Sequence, residues 1–169
     1  MKRIALIATL ILVSTTPAFA HAGHAITSGF LHPFLGWDHL IAMLAVGAWG
    51  ATLGSRAIWA VPAAFVSMMI VGGLLGMSGI EVPFIETMIL ASVGVLAAFA
   101  LVQVKMPVWS GMAVVGLFAL AHGYAHGTEM PELVNPVVYG AGFVAATSLI
   151  HALGAIAALA VMKVKRARA

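Results

Sequence analysis

The sequence predicts an all-α integral membrane protein of about five transmembrane helices after a cleavable signal peptide, with the N-terminus outside and the C-terminus cytoplasmic. Of its 169 residues, 63% are hydrophobic and only 8% are charged, whereas a soluble domain carries roughly 25% charged residues. So few polar side chains cannot cover a soluble globule, and the same composition excludes a disordered chain. The apolar residues form stretches close to the roughly 20 residues that cross a hydrocarbon core.

The first 20 residues have the pattern of a secretory signal. Residues 1–3 are a basic start, residues 4–13 are an apolar core, and residues 18–20 are an Ala-Phe-Ala cleavage motif. This apolar core is too short to span a bilayer, which favours a signal peptide over an uncleaved amphipathic anchor. Cleavage leaves residues 21–169 as a single transmembrane helical domain that begins in the periplasm.

Polar residues and Pro/Gly turns divide the remaining chain into five apolar spans. Helices are expected because backbone exposed to lipid must satisfy its hydrogen bonds internally. The predicted spans are Pro33–Leu53, Ala57–Met77, Phe84–Val102, Val108–Gly127 and Val137–Met162.

The charged residues are distributed as this orientation requires. Cytoplasmic segments are enriched in Lys and Arg, and the predicted internal segments contain Arg56, Lys105 and the basic tail 163–168. The glutamates all fall on the outer side, at Glu81, Glu86, Glu129 and Glu132. We therefore expect a multi-pass protein of the bacterial inner membrane. The charge of +3 marks topology and forms no basic stripe, so no nucleic-acid partner is expected.

A first cluster of ionisable residues lies at the outer end of the first span. Such groups are costly within a membrane and are functional candidates for that reason. The cluster comprises His32, Asp38 and His39. If the segment is helical, the two histidines share a face about 10 Å apart along the axis. Asp38 can ligate a cation, or orient a histidine on another helix through its second nitrogen.

A second cluster lies at the outer end of the fourth span. His122 and His126 are four residues apart and Glu129 follows three residues later, so all three fall on one helical face and can offer ligands to one ion. Gly123 and Gly127 form a neighbouring row that can admit another helix closely. Both clusters are predicted at the same depth, and they form one site if spans one and four touch.

The other histidines allow two interpretations each, and several aromatic residues allow one. His151 lies midway along the fifth span. It is either a second binding site on a metal pathway or a core histidine hydrogen-bonded to a neighbouring helix. His21 and His24 are either surface metal ligands or part of a frayed terminus. Aromatic residues near span ends are typical of interfacial anchors; these are Trp37, Trp59, Trp109 and Tyr139.

The donor set consists of imidazole and carboxylate groups, because the chain has no cysteine. These donors suit Ni²⁺, Co²⁺ or Zn²⁺ and disfavour Cu(I), and intrinsic affinity favours nickel over cobalt. The same residues are compatible with an intramembrane zinc-dependent hydrolase that uses Glu129 as its base. A haem-binding membrane electron carrier with two histidine ligands is a further alternative, although external basic residues for the haem propionates are absent.

At these residues the sequence resembles the HupE/UreJ family of nickel and cobalt permeases, which are hydrogenase and urease accessory membrane proteins. The resemblance is carried by His32 with the Asp38-His39 pair, by the run 122–129, and by the stretch 142–151. It covers essentially the whole chain.

The resemblance implies a secondary permease, not an enzyme, that takes up Ni²⁺ or Co²⁺ as a transported ion and holds no prosthetic group. It also implies a functional link to hydrogenase or urease maturation, and it is compatible with a homo-oligomer in the lipid bilayer. The chain has no nucleotide-binding P-loop, so transport is expected to be passive or ion-coupled. The expected metal ligands are His32, Asp38, His39, His122, His126 and Glu129, followed by His151 on the way to the cytoplasm.

Overall fold

The computed structural model of the protein describes residues 25–131 and 133–168, and all regular secondary structure in these two ranges is helical. The predicted all-α class is therefore confirmed for this part of the chain. The predicted signal peptide and the candidate ligands His21 and His24 lie outside the described residues.

Three helices are long and apolar enough to cross a membrane, and a bent pair can supply a fourth crossing. The helices are α1 (Ala25–Phe34), α2 (Trp37–Leu53), α3 (Ala57–Met77), α4 (Ile85–Leu101), α5 (Val108–Thr128) and α6 (Pro136–Arg168). The three long ones are α3, α5 and α6, and the bent pair is α1 with α2. Helix α4 is apolar but has only 17 residues, so five complete spans remain a prediction.

The predicted first span is two helical segments that meet at an angle of 80°. Pro33 has no N–H to continue the hydrogen-bond pattern of α1, and the last turn of α1, His32–Phe34, is a 3₁₀ turn. Gly36 then adopts an extended backbone as the N-cap of α2. The prediction that His32 and His39 share one helical face is therefore wrong, because the two residues lie on different segments.

Helix α6 is longer than predicted. It has 33 residues and ends at Arg168, which corresponds to about 50 Å of helix. The predicted span ended at Met162. The basic residues at the end of the chain therefore continue the helix, and they lie in its last turns.

Glycines bring α3 and α5 into the most extensive helix–helix contact of the structure. Gly72 and Gly76 of α3 lie against the backbone of α5, and Gly123 and Gly127 of α5 lie against the backbone of α3. A methyl group on Gly123 would overlap the carbonyl of Met69. The predicted glycine row on α5 does admit a neighbouring helix, and that helix is α3.

Helix α2 contacts α3, α4, α5 and α6, and it contributes several side chains to the buried core. Met43, Val46 and Trp49 of α2 are completely buried. The indole N–H of Trp49 donates to the carbonyl of Val104 at 2.9 Å, which holds the α4–α5 connection against α2. At the opposite end of α2, the ring centroid of His39 lies 4.8 Å from that of His122 on α5.

Two hydrogen-bonded connections mark opposite ends of the bundle. At one end the Lys105 ammonium donates to the carbonyl of Thr52, so the loop of Lys105 lies beside the loop of Arg56. At the other end the Tyr124 hydroxyl donates to the carbonyl of Ile80 at 2.7 Å. This second bond ties the α3–α4 loop to the last turns of α5.

Candidate metal centre

Three histidines from two helices converge inside the bundle. One ring nitrogen each of His39, His122 and His126 lies within 4.8 Å of the other two. His122 is completely buried, His126 is 7% exposed, and the ring centroids of His39 and His126 are 4.4 Å apart. We call these three residues the inner triad. The predicted contact between the first and fourth spans is thus present at the predicted histidines.

Local sequence explains how each residue of the inner triad reaches the site. His122 and His126 are four residues apart on α5 and project from the same face. His39 lies in the first turn of α2, directly after the bend at Gly36. A methyl group on Gly36 would lie 3.0 Å from Asp38 Oδ1 and 3.1 Å from His39 Nδ1. The missing side chain at this position leaves room for the Asp38–His39 pair.

Asp38 orients the histidine that follows it in the chain. Its Oδ1 accepts hydrogen bonds from His39 Nδ1–H and from the backbone N–H of His39, both at 2.8 Å. A carboxylate can only accept, so the ring proton is on Nδ1 and the lone pair is on Nε2. Asp38 therefore acts on its own neighbour, whereas the sequence suggested a direct ligand or a partner for a histidine on another helix. It belongs to neither group of three ligands found among the described residues.

A second group of ligands lies nearer the surface and shares His126 with the first. His32, His126 and Glu129 each place one ligand atom within 4.8 Å of the others, and we call them the outer triad. Glu129 Oε2 is 3.3 Å from His32 Nε2 and 3.8 Å from His126 Nδ1. The Glu129 side chain is 54% exposed, because it lies at the C-cap of α5.

Several buried ring nitrogens of the inner triad have no hydrogen-bond partner in the described part of the chain. They are His39 Nε2, His122 Nδ1 and both nitrogens of His126. Buried polar atoms are almost always paired, and each neutral imidazole offers one lone pair. Convergent imidazole lone pairs with a carboxylate nearby form a donor set for a divalent transition metal ion.

His151 lies outside both triads. It is 2% exposed, and neither ring nitrogen has a hydrogen-bond partner among residues 25–131 and 133–168. The reading of a core histidine hydrogen-bonded to a neighbouring helix is therefore wrong for this structure. The ring of Phe65 contacts both His151 and the inner triad, with centroid distances of 5.1 Å to His151 and 5.7 Å to His122.

Two cavities lie between α3 and α6, and each reaches one of the buried histidines. A cavity of about 470 Å³ is lined by His126, Met69 and Tyr139, among others. A second cavity of about 620 Å³ is lined by His151 and Pro62, among others. The walls of both cavities are mostly apolar.

Sequence reasoning did not identify Ser92, which contacts the inner triad from α4. Its hydroxyl oxygen lies 2.8 Å from His122 Nε2, and both side chains are completely buried. The available signal was a hydroxyl residue midway along a largely apolar span. That signal is ambiguous, because serine also bonds the backbone of its own helix.

The predicted interfacial position of Tyr139 is wrong. It was expected at the membrane interface, but it is 4% exposed and its ring centroid lies 6.0 Å from that of His32. The reason is that α1 folds over it: a methyl group on Gly29 would overlap the Tyr139 carbonyl. Tyr139 therefore packs beside the outer triad. The three tryptophans expected to be interfacial anchors are exposed.

Comparison with known proteins identifies the family of the chain. A sequence model of the family described as "HupE / UreJ protein" matches residues 8–169. Protein HupE of Rhizobium leguminosarum bv. viciae is 45% identical over 153 residues, which cover 88% of this chain and 80% of that protein. No solved structure matches the chain significantly. Because the family model matches most of the chain and this relative is 45% identical, the chain belongs to the HupE/UreJ family.

Proposed function

We propose that the protein is a secondary permease that takes up a divalent transition metal ion across the bacterial inner membrane, with Ni²⁺ as the preferred ion and Co²⁺ as the alternative. The observation that carries this proposal is the inner triad, in which each ring has at least one buried nitrogen without a hydrogen-bond partner among the described residues. Family membership supports it, because the resemblance implies nickel and cobalt permeases. The metal ion is the cargo of the protein, and no catalytic step is proposed.

The types of donor atom support a borderline metal ion. Imidazole nitrogens suit nickel, cobalt and zinc, whereas Mg²⁺ and Ca²⁺ prefer oxygen ligands and Cu(I) prefers sulfur ligands. The outer triad combines two imidazoles with one carboxylate, and the inner triad has three imidazoles. An ion that moves from the outer to the inner triad exchanges water and oxygen ligands for nitrogen ligands as it becomes buried.

His126 links the two triads, and this sharing sets the proposed order of binding. The exposed Glu129 carboxylate attracts the hydrated cation first, together with His32. A neutral imidazole has one lone pair, so His126 coordinates in one triad at a time. The ion therefore moves from the outer triad to the inner triad, and the two triads do not bind two ions at the same time.

The proposed path continues from the inner triad past Phe65 to His151 and then to the cytoplasm. In the proposed five-span topology, the loops of Arg56 and Lys105 face the cytoplasm, and Glu129 faces the periplasm. The membrane potential then favours inward movement of a divalent cation by about 4.6 kcal/mol per 100 mV. This energy is available without ATP hydrolysis, in agreement with the missing P-loop.

Metal accumulation in cells tests the proposal. Cells that express the protein are given Ni²⁺, Co²⁺ or Zn²⁺ at trace concentration, and accumulation is compared with cells that carry His126→Ala at equal membrane expression. We expect His126→Ala to fall to the level of cells without the protein, because both triads lose a ligand. Ser78→Ala is expected to retain uptake, because Ser78 is exposed and lies outside both triads.

A double variant gives a second test, whose result can contradict the proposed transport path. His122→Ala combined with Asp38→Ala removes one ligand of the inner triad and the group that orients another. Unimpaired accumulation of all three metals in this variant would show that the inner triad is not on the transport path.

A further inference from the structure

The hydroxyl group of Ser92 has two neighbours at hydrogen-bonding distance. It lies 2.6 Å from the carbonyl oxygen of Ile89 on the same helix and 2.8 Å from Nε2 of His122 on α5. Ser92 and His122 are both completely buried. Each contact therefore has to be satisfied by the protein groups themselves.

The Ser92 hydroxyl has a single hydrogen, so it can donate in only one of these two hydrogen bonds. A carbonyl oxygen cannot donate, so an O···O distance of 2.6 Å places the Ser92 hydrogen between Ser92 and Ile89. Towards His122 the hydroxyl can then only accept. Nε2 of His122 must therefore carry the ring proton. In the opposite tautomer, the Ile89 carbonyl and the His122 Nε2 lone pair would compete for one hydrogen.

We propose that Ser92 is a positioning residue that holds His122 in the Nε2–H tautomer, so that the lone pair is on Nδ1 within the inner triad. Nδ1 is the buried His122 nitrogen that has no hydrogen-bond partner in the described chain. That this lone pair serves a metal ion rests on the proposed function; the tautomer itself does not.

Ser92 and Asp38 then have the same role, because each fixes the tautomer of one histidine ring. Asp38 holds the proton of His39 on Nδ1 and leaves its Nε2 free, whereas Ser92 holds the proton of His122 on Nε2 and leaves its Nδ1 free. A ring in the wrong tautomer would present an N–H to the ion and could not coordinate it. A partner on the second nitrogen fixes both the tautomer and the orientation of a histidine ligand.

The tautomer can be measured in metal-free protein by ¹⁵N NMR with labelled histidine, with the His122 signals identified from their loss in His122→Gln. Wild-type protein is expected to show His122 protonated on Nε2, and Ser92→Ala is expected to lose this preference. Ser92→Cys separates hydrogen bonding from packing, because it fills the space but accepts hydrogen bonds weakly. We expect Ser92→Cys to behave as Ser92→Ala does. Ser78→Ala, whose hydroxyl also bonds the carbonyl three residues earlier at 2.6 Å, is the matched control.

An unchanged His122 tautomer in Ser92→Ala or Ser92→Cys would overturn the proposal. Binding of Ni²⁺ to the same purified proteins separates this result from the proposed function. We expect Ser92→Ala to weaken binding by roughly 10- to 100-fold. A changed tautomer with unchanged Ni²⁺ affinity would support the positioning role of Ser92 and contradict the role of His122 as a nickel ligand.

Discussion

At the scale of single residues, the neighbours of each histidine decide what its imidazole can do. His39 is bonded to a carboxylate and His122 to a hydroxyl, so each presents one defined lone pair. His126 has no hydrogen bond on either nitrogen in the described chain, and it alone belongs to both triads. His151 likewise has no hydrogen-bond partner within residues 25–131 and 133–168, it belongs to neither triad, and its ring contacts Phe65. These four histidines thus have four different environments.

Asp38→Asn tests the orientation of His39. The amide keeps the shape of the side chain but loses the negative charge, and its NH₂ group can face Nδ1 and favour the wrong tautomer. We expect Ni²⁺ affinity to fall by roughly 10- to 100-fold, as for other partners of metal-binding histidines. Isothermal titration calorimetry of the purified protein measures this change.

Glu81→Gln is the control for that measurement. It also removes one negative charge, but from the α3–α4 loop and outside both triads. Equal losses of affinity in Asp38→Asn and Glu81→Gln would indicate a general effect of charge and would contradict a specific role of the Asp38–His39 bond.

At the scale of helices, breaks and small residues position the ligands. The 80° bend between α1 and α2 brings His32 to the outer triad while His39 enters the inner one. The glycines between α3 and α5 allow backbone contact along the helix that carries His122 and His126. The position of α5 relative to α3 therefore depends on glycines that are not metal ligands themselves.

Gly123→Ala tests the packing of α3 on α5. The added methyl group would overlap the Met69 carbonyl, and overpacking of this kind costs about 1–3 kcal/mol. We expect a lower thermal unfolding temperature in detergent. Gly94→Ala is the matched change on α4, where an added methyl group meets nothing within 4 Å. Its unfolding temperature is expected to be unchanged or higher, because alanine favours the helix. Equal unfolding temperatures for the two variants would contradict the close contact.

At the scale of the whole molecule, the basic loop residues and the metal ligands of the outer triad lie at opposite ends of the bundle. The Lys105–Thr52 bond lies at one end, and the Tyr124–Ile80 bond lies at the other end, where α5 leads to Glu129. The outer triad is thus at the acidic end. The positive-inside rule predicts that the basic end faces the cytoplasm.

Cysteine labelling tests this orientation, and the chain has no cysteine of its own to interfere. Ser78→Cys places an exposed thiol in the α3–α4 loop, and Ser55→Cys places one in the α2–α3 loop. A membrane-impermeant maleimide is expected to label Ser78→Cys in spheroplasts with an intact inner membrane and Ser55→Cys only after permeabilisation. The reverse pattern would invert the proposed topology and the direction of metal movement.

The sequence determined the features that depend on composition and local spacing. Low charge indicated a membrane protein, and the i, i+4 spacing indicated that His122 and His126 share a face, because the helical period is a local property. The resemblance to the HupE/UreJ family was also readable from these residues and is confirmed.

Only the tertiary structure decided which faces meet. In a membrane helix the face towards lipid and the face towards other helices are both apolar, so hydrophobic periodicity does not reveal which side is buried. This is why the sequence did not predict Ser92 beside His122 or the burial of Tyr139. The bend at Gly36 has a local signal in Pro33 and Gly36, but membrane helices tolerate both residue types, so this signal does not distinguish a bent span from a continuous one. The division of the ligands into two triads that share His126 likewise depends on how α1, α2 and α5 pack together, which no local pattern specifies.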